Sequence, residues 1–230
     1  MMLSIQEPIS QQLQLQQVCY TQLPEKSKLV KTARLYANAF ADLPWNEYKV
    51  CEKKHYVGRQ QWELTGSTNC SQSDCGKPLE IAYPEDETSE YITKEVTKPE
   101  GTLITFEDEG GEVFAAGWGY ACTTEELQAK YSSSEMKENV VDRIKKAAEK
   151  VQRVFYLSEI MVDTAVQKRG IATKITKCLF ETAQSLNLNL VMRTRSDSPM
   201  ARIANNMQMS QVIGLGEDTE NLNRVLYIKI

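Results

Sequence analysis

The stretch Val154-Phe-Tyr-Leu-Ser-Glu-Ile-Met-Val-Asp163 decides the fold of this chain, because it is rich in β-forming residues and almost continuously apolar. Such a run is typical of a strand that is buried on both faces of a sheet. A helix with Ile171 and Ile175 on its apolar side follows Gly170, and a second apolar strand begins at Leu188. Strand, helix and strand within about 40 residues predict a right-handed crossover between two parallel strands.

Antiparallel strands precede this unit. Two β-rich segments, residues 101–107 and 113–121, flank Glu109-Gly-Gly-Glu112, whose glycines supply the positive φ angles of a tight turn. We therefore predict a hairpin there, and further strands over residues 12–23 and from Arg224 to Ile230. Early antiparallel strands and a late parallel unit predict an α+β fold with a mixed, mostly antiparallel sheet around a central parallel pair. Apolar spacing predicts flanking helices over residues 28–41, 136–151 and 171–186. We also expect a short helix to start in the acidic stretch 84–93, and another short helix over residues 200–207.

Composition limits the class of protein. The 230 residues carry a net charge of −4, and 41% are hydrophobic, which excludes a disordered chain. No window approaches the roughly 18 apolar residues of a transmembrane helix, so we expect no membrane contact. Met1–Val18 lacks the features of a signal peptide, and we expect a cytoplasmic protein. The mild acidity argues against nucleic-acid binding, and the last strand could pair across a homodimer.

Three of the six cysteines cluster with the only histidine of the chain. Cys51 and His55 form one closely spaced pair, and Cys70 and Cys75 form a second. Two pairs of soft ligands on short turns are what a tetrahedral structural zinc requires, so we predict a zinc knuckle. Free thiols or a Cys70–Cys75 disulfide are the alternatives. We treat residues 50–80 as an insertion in a single domain that spans residues 1–230.

The turn Val166-Gln-Lys-Arg-Gly-Ile-Ala172 lies between the buried strand and its helix. A helix that begins near Gly170 presents free backbone N–H groups and the positive end of its dipole there. Gly170 and the small Ala172 allow a ligand to approach the backbone, and Lys168 and Arg169 add positive charge. These features predict a phosphate or pyrophosphate site. The turn lacks the glycine pattern of a dinucleotide fold and the Gly-Lys-Ser/Thr of a P-loop.

Gln-x-x-Gly-x-Ala at residues 167–172, preceded by Leu157–Asp163, resembles the acyl-coenzyme A signature of the GNAT N-acetyltransferase superfamily. The resemblance implies the acyl-CoA N-acyltransferase fold, in which the central parallel strands splay apart and hold acetyl-CoA between them. It implies that the backbone of Ile160, Met161 and Val162 pairs with the pantetheine arm. It also implies a set of residues that hold the pyrophosphate: Gln167, Lys168, Arg169, Gly170, Ile171, Ala172 and Thr173.

The implied activity is transfer of an acetyl group from acetyl-CoA to a primary amine of an unidentified acceptor. One departure from the family pattern bears on this activity. Asn205 stands at the cofactor-side position where the family often has a Tyr that protonates the departing thiolate, and Asn cannot act as a general acid. The alternative is therefore a catalytically weak CoA-binding module that uses its zinc-knuckle insertion to dock a partner.

Glu159 is the best candidate for the base that deprotonates the amine. Strand alternation predicts that it shares a face with Leu157 and Met161, opposite Tyr156, the alternative proton donor. A carboxylate between apolar neighbours should have a raised pKa, which suits a base that acts near neutral pH. The competing role for Glu159 is an ion pair with one of two arginines on the neighbouring strand, Arg193 and Arg195.

Overall fold

The computed structural model describes residues 13–43, 45–130, 146, 152–212 and 224–230. Its strands are β1 (Gln16–Tyr20), β2 (Lys49–Val50), β3 (Tyr56–Val57), β4 (Glu80–Ile81), β5 (Thr102–Glu107), β6 (Val113–Thr123), β7 (Arg153–Val162), β8 (Asn189–Arg195), β9 (Ser210–Val212) and β10 (Arg224–Lys229). Its helices are α1 (Lys26–Ala41), α2 (Arg59–Thr65), α3 (Glu85–Val96), α4 (Thr124–Ala129), α5 (Ile171–Ser185) and α6 (Pro199–Asn206). The helix predicted over residues 136–151 falls almost entirely outside the described residues.

Seven strands form one mixed sheet in the order β1-β5-β6-β7-β8-β10-β9. Strands β7 and β8 pair in parallel, and every other described pair in this sheet is antiparallel. The predicted fold class is therefore confirmed, with the parallel pair near the centre. Strand β9 was not predicted; its three residues pair with the outer edge of β10 and are too short to show alternation.

Helices cover both faces of the sheet. On one face Phe155 and Leu157 of β7 pack with Ile175 and Leu179 of α5 in one core. The opposite face packs against α1 and α3, in a second core that includes Leu29, Ile92, Trp118 and Met161. Helix α5 lies very close to the sheet, since a Cβ built on Gly117 would be 2.6 Å from Cγ2 of Ile175. The described residues contain no helix long and apolar enough to cross a membrane.

The parallel strands separate at their carboxyl ends. Pairing between β7 and β8 runs from Val154 opposite Asn189 to Leu157 opposite Met192, and stops there. Strand β7 continues to Val162 with β6 as its described neighbour, while β8 continues alongside β10. The gap between the two strands is the splay that the resemblance implied. It opens on the side where the turn into α5 begins.

A β-bulge at Ser158 decides which side chains of β7 share a face. Gly119 of β6 lies opposite Leu157 and Trp118 lies opposite Glu159, so Ser158 is an extra residue in β7. Leu157 packs in the core beneath α5, whereas Glu159 meets Tyr91 of α3 on the other face. The prediction that Glu159 shares a face with Leu157 is therefore wrong, because simple alternation fails across a bulge.

Because of the same bulge, Tyr156 lies on a different face relative to Glu159 than predicted. Its neighbours Phe155 and Leu157 both belong to the core beneath α5. In the regular part of the strand, Tyr156 packs instead against Tyr120, with ring centroids 5.8 Å apart. Tyr156 and Glu159 therefore both face α3, and the prediction that they lie on opposite faces is wrong. Met161 shares the face of Glu159, as predicted.

Residues 48–82, which we name the Cys/His segment, connect α1 to α3. They contain a small sheet of order β3-β2-β4 and the short helix α2. Each of these strands has two residues, and α2 buries none of its side chains. The predicted zinc ligands lie on the turns between these elements.

Candidate cofactor cleft and catalytic site

The gap between β7 and β8 is lined by backbone rather than by side chains. Ile160 and Val162 turn their side chains toward the core beneath α5, and Met161 turns toward the opposite core. The strand edge that faces away from β6 therefore presents peptide groups to the gap. The side-chain amide of Gln167 donates to the carbonyl of Val162 at 3.2 Å, which ties the turn to the end of the strand.

The turn leads into a helix whose start has no side-chain cap. Gly170 occupies the N-cap position with φ 75° and ψ 8°, a left-handed conformation that favours glycine. The first backbone hydrogen bond across the helix start is donated by the N–H of Lys174 to the carbonyl of Gly170, at 3.0 Å. The N–H groups of Ile171, Ala172 and Thr173 precede this bond. They supply the positive end of the helix dipole to the gap.

Two cationic side chains flank this helix start. Lys168 and Arg169 are both exposed, and the Lys168 backbone has φ 62°. The Arg169 guanidinium donates to the carbonyl of Leu13 at 3.4 Å, near the edge of the sheet. The predicted pyrophosphate residues therefore form one continuous turn and helix start, exposed over residues 167–170, half-buried at Ala172 and Thr173, and with the side chain of Ile171 in the core. Its charge and its backbone donors both suit an anion.

Glu159 lies beside a cluster of aromatic rings on the α1 and α3 face. The hydroxyl of Tyr91 donates to Oε1 of Glu159 at 3.4 Å. The ring of Trp118 packs 6.2 Å from that of Tyr91 and 6.1 Å from that of Tyr36, measured between centroids. Burial raises the pKa values of Tyr36 and Tyr91, and the nearby charge of Glu159 raises them further. Both phenols therefore stay protonated near neutral pH, and that of Tyr91 donates its proton in the hydrogen bond to Glu159.

The bulge residue is held by the buried carboxylate of Glu95, which pairs with the partly exposed Lys130 and which the sequence did not reveal. Ser158 Oγ donates to Oε2 of Glu95 at 2.6 Å, and Lys130 Nζ reaches the same oxygen at 3.0 Å. Lys130 also donates to the Tyr120 hydroxyl at 2.7 Å. Burial alone would raise the pKa of Glu95, but hydrogen bonds from Lys98 and Ser158 and the charge of Lys130 lower it overall. Neighbouring groups partly desolvate the ammonium of Lys130, which lowers its pKa, although 31% of the side chain stays exposed.

A second carboxylate missed by the sequence analysis lies near the end of α1. The hydroxyl of Tyr83 donates to Oε2 of Glu47. The ring of Tyr83 packs against those of Tyr36 and Phe40, at centroid distances of 5.1 and 5.7 Å. Aromatic residues dispersed over α1 and the start of α3 gave no periodic signal that linked them to Glu159.

The indole N–H of Trp118 is a buried donor on this face. Its Nε1 atom has no hydrogen-bond partner among the described residues, although the side chain is fully buried. A buried donor that lacks a partner costs free energy and usually indicates a missing water or ligand. It lies in the aromatic cluster that contacts Glu159.

The remaining candidate residues of the cleft lie near the end of β8. Asn205 is exposed on α6, while Ala201 and Ala204 of that helix are buried. Arg195 pairs with Asp197 at 2.9 Å and donates to it through two nitrogen atoms. Asp197 is thus the described ion-pair partner of Arg195. The ion pair between Glu159 and Arg193 stays a prediction.

The four predicted zinc ligands come together in the Cys/His segment. Cys51, His55, Cys70 and Cys75 each offer one ligand atom, and these atoms lie within 4.8 Å of one another. All three cysteines are free thiols. The spacing in the sequence therefore identified residues that are neighbours in space.

Comparison with known proteins finds similarity in structure but not in sequence. No protein-family model matches the chain, and no curated protein matches it in sequence. Among solved structures, Drosophila melanogaster polyamine N-acetyltransferase, which forms N-acetylagmatine, is 11% identical with a TM-score of 0.52, and the match covers 93% of this chain and 99% of that one. Aedes aegypti arylalkylamine N-acetyltransferase 2 is 12% identical with a TM-score of 0.51, over 93% and 98% of the two chains. A Pyrococcus horikoshii protein is 13% identical with a TM-score of 0.50, over 93% and 98%.

These similarities concern structure, at identities too low to transfer an activity. The mixed seven-stranded sheet with its splayed parallel pair defines the acyl-CoA N-acyltransferase class of folds. The chain has the fold of the GNAT superfamily, and the resemblance seen in the sequence is confirmed at this level.

Proposed function

We propose that this chain is an N-acetyltransferase that transfers the acetyl group of acetyl-CoA to a primary amine. The observation that carries the proposal is the pairing of two features at one place: the backbone edge of Ile160–Val162 beside the gap, and the uncapped helix start at Gly170. Peptide groups at the edge suit the amides of a pantetheine arm. The helix start suits a pyrophosphate. A fold alone does not establish an activity, so the proposal rests on these two features of the site.

Acetyl transfer requires three things of the protein. The amine must lose a proton so that its nitrogen lone pair can attack the thioester carbonyl carbon. The carbonyl oxygen must be stabilised as the carbon–sulfur bond breaks, and we assign this role to a backbone N–H near Met161. The sulfur of the departing coenzyme A must then receive a proton. The products are an N-acetylated amine and coenzyme A.

Glu159 is the proposed base, acting on the amine directly or through one water molecule. It sits on the strand that borders the gap, and the bulge turns it toward α3 rather than into the core beneath α5. Tyr91 holds its carboxylate from the side. Tyr156, on the same face, is the alternative proton donor to the thiolate.

The surroundings of Glu159 favour a cationic acceptor. Two carboxylates, Glu159 and Glu47, border the rings of Tyr36, Tyr83 and Trp118. Negative charge attracts an ammonium group, and aromatic faces stabilise one by cation–π interaction. The structural neighbours from Drosophila and Aedes are named for polyamine and arylalkylamine acceptors, which have this chemistry.

A catalytically weak CoA-binding module that docks a partner is the second candidate. The observation in its favour is Asn205, an exposed amide where the family often places an acidic Tyr hydroxyl. The two candidates share cofactor binding and differ in turnover. An assay of acetyl transfer therefore separates them.

The test has two parts. Calorimetry with coenzyme A measures cofactor binding, and release of free thiol from acetyl-CoA measures turnover on a panel of polyamines, arylalkylamines and amino acids. Glu159→Gln should lower kcat on an active amine by about 100-fold or more, since a positioned base contributes on the order of 10²–10⁴-fold. Glu87→Gln, an exposed carboxylate of α3, is the matched control and should retain activity. Full turnover in Glu159→Gln would remove Glu159 as the base, and binding without turnover on any amine would favour the docking module.

A further inference from the structure

The first half of the Cys/His cluster is built by the turn between β2 and β3. The N–H of Cys51 donates to the carbonyl of His55 at 3.2 Å, and the N–H of Lys54 donates to the carbonyl of Cys51 at 2.9 Å. Lys54 adopts a left-handed conformation with φ 61°, which closes the turn. Cys51 and His55 are thereby fixed at the two ends of one tight loop.

The second half is built by a similar loop. The N–H of Cys70 donates to the carbonyl of Lys77 at 2.7 Å, and the N–H of Cys75 donates to the carbonyl of Gln72 at 3.1 Å. Gly76 has φ 59°, a value at which glycine is favoured. The two loops face each other, and an exposed ion pair of 2.8 Å between Lys77 and Glu52 joins them. An exposed pair of this kind adds little stability by itself.

Two distances between ligand atoms match the edges of a tetrahedral zinc site, and all four ligand atoms lie within 4.8 Å of one another. The Sγ atoms of Cys51 and Cys75 are 3.7 Å apart, and Sγ of Cys70 is 3.4 Å from Nδ1 of His55. Zinc binds thiolate sulfur at about 2.3 Å and imidazole nitrogen at about 2.0–2.1 Å, so a tetrahedral site has sulfur–sulfur edges of about 3.8 Å and sulfur–nitrogen edges of about 3.5 Å. Three thiolates and one imidazole are soft ligands, which select zinc over magnesium or calcium.

The Cys/His segment has almost no apolar core of its own. Leu64 is 82% exposed and Ile81 is 51% exposed, whereas Cys51 and Cys70 are 3% and 4% exposed. Two of the few buried side chains in the segment are thus ligands rather than ordinary core residues. A fold this small usually requires a metal ion or disulfides to be stable. The three cysteines of the cluster are free thiols, so no disulfide among the described residues stabilises the segment.

The two ends of the segment bear on the acceptor side of the proposed active site. The N–H of Glu47 donates to the carbonyl of Phe40 at 2.8 Å, and the N–H of Ala82 donates to the carbonyl of Tyr48 at 3.1 Å. The first bond joins the residue before the segment to α1, and the second joins the two ends of the segment. The residues so placed, Glu47 and Tyr83, form the hydrogen bond at the edge of the aromatic cluster.

We propose that Cys51, His55, Cys70 and Cys75 bind one structural Zn²⁺, and that this ion fixes Glu47 and Tyr83 at the rim of the acceptor pocket. Four protein ligands complete a tetrahedral shell and leave no position for a substrate, so the ion has no catalytic role. Its binding joins the two loops and orders a segment that has little other support. The effect on the acceptor pocket rests on the proposed function, whereas metal binding does not.

Metal binding is tested on the full chain purified under reducing conditions without chelator. We expect one zinc per chain by elemental analysis, and after exchange with Co²⁺ the visible absorption bands of a tetrahedral cobalt thiolate. Cys70→Ser and Cys75→Ser should each lose stoichiometric zinc. Cys19→Ser, a change at an exposed cysteine of β1 outside the cluster, is the matched control and should retain it. Absence of zinc in the wild-type chain together with absence of cobalt bands on titration would overturn the proposal.

The positioning effect is tested by chelation of the wild-type chain, which avoids variants that fail to fold. Removal of zinc should lower the melting temperature and raise KM for the active amine at least several-fold, while the affinity for coenzyme A stays unchanged. Restoration of zinc should reverse both changes. An unchanged KM after complete removal would refute the positioning effect. The two proposals can be refuted separately. A chain that contains no zinc but acetylates an amine would refute only the zinc site. A chain that binds zinc but acetylates no amine would refute only the acetyltransferase activity.

Discussion

Replacement of Gly170 by Ala separates backbone recognition of the cofactor from general stability. Gly170 has φ 75° at the N-cap of α5, and an added Cβ would meet no atom within 4 Å. The substitution therefore causes no clash, and its cost is the left-handed conformation itself, about 1–2 kcal/mol for a residue with a Cβ. The free chain can relieve this strain by rotating the peptide, which turns the N–H groups away from the cofactor. Binding must then restore the strained conformation, so we expect the Kd for coenzyme A to rise by about 5- to 30-fold.

Gly66→Ala is the matched control for this prediction. Gly66 has φ 58° at the end of α2, and a Cβ there also meets no atom within 4 Å. Calorimetry measures the Kd, and urea unfolding measures stability. Gly66→Ala should bind coenzyme A like the wild type. If Gly170→Ala also binds coenzyme A like the wild type, the N–H groups at this helix start do not hold the pyrophosphate, and the reasoning behind the cofactor cleft fails.

Three further substitutions probe the other parts of the site. Glu95→Gln should lower the free energy of unfolding at pH 7 by about 1–3 kcal/mol, because it removes the charge of a buried carboxylate that pairs with Lys98 and Lys130. Because the pKa of Glu95 is lowered on folding, its ionised form stabilises the wild type above the unfolded-state pKa, and this stability is lost as the pH falls through the folded-state pKa. Glu95→Gln lacks this contribution. Urea unfolding should therefore show a smaller loss of stability on acidification in the variant than in the wild type. Gly117→Ala should cost about 1–3 kcal/mol by overpacking, because its Cβ would lie 2.6 Å from Ile175 and 3.0 Å from the carbonyl of Glu159; thermal unfolding measures this, and an unchanged melting temperature would contradict the close packing of α5. Asn205→Tyr should raise kcat on an active amine by supplying an acidic hydroxyl, and an unchanged kcat would mean that another group protonates the thiolate.

The sequence predicted the sheet well because its apolar patterns are strong. The strand that ends at Val162 and the helix after Gly170 both pack in one large core. The strand is therefore almost continuously apolar and the helix has an apolar side, and both patterns are visible in the sequence. The three residues of β9 are too few to show a period. The bulge at Ser158 was also hidden, since it depends on the pairing with Gly119 of the neighbouring strand and on the buried carboxylate of Glu95. A local pattern contains neither piece of information.

The candidate site divides in the same way. The proposed cofactor turn was readable, because recognition through the backbone would need only a short motif of small and charged residues around Gly170. The Cys/His cluster was readable because its members are closely spaced in pairs on two turns, and these pairs lie together in space. The acceptor side was not, because Glu47, Tyr91 and Glu159 come from three separate elements. Their association results from packing, and none of them is unusual within its own stretch of sequence.

The proposed cofactor side and acceptor side pack in separate cores, so the acceptor specificity can change independently of cofactor binding. The proposed cofactor cleft depends on the geometry of β7 and α5, which pack in one continuous core. Most substitutions in that core should lower the stability of the protein. The acceptor side depends on side chains of α1, α3 and the ends of the Cys/His segment, which pack on the opposite face in a separate core. Substitutions at Glu47 or Tyr83 can therefore alter the acceptor while the peptide groups that face the cofactor stay in place. Binding of coenzyme A should then be insensitive to changes on the acceptor side, and a large change in its Kd in Tyr83→Phe would show that the two sides are coupled.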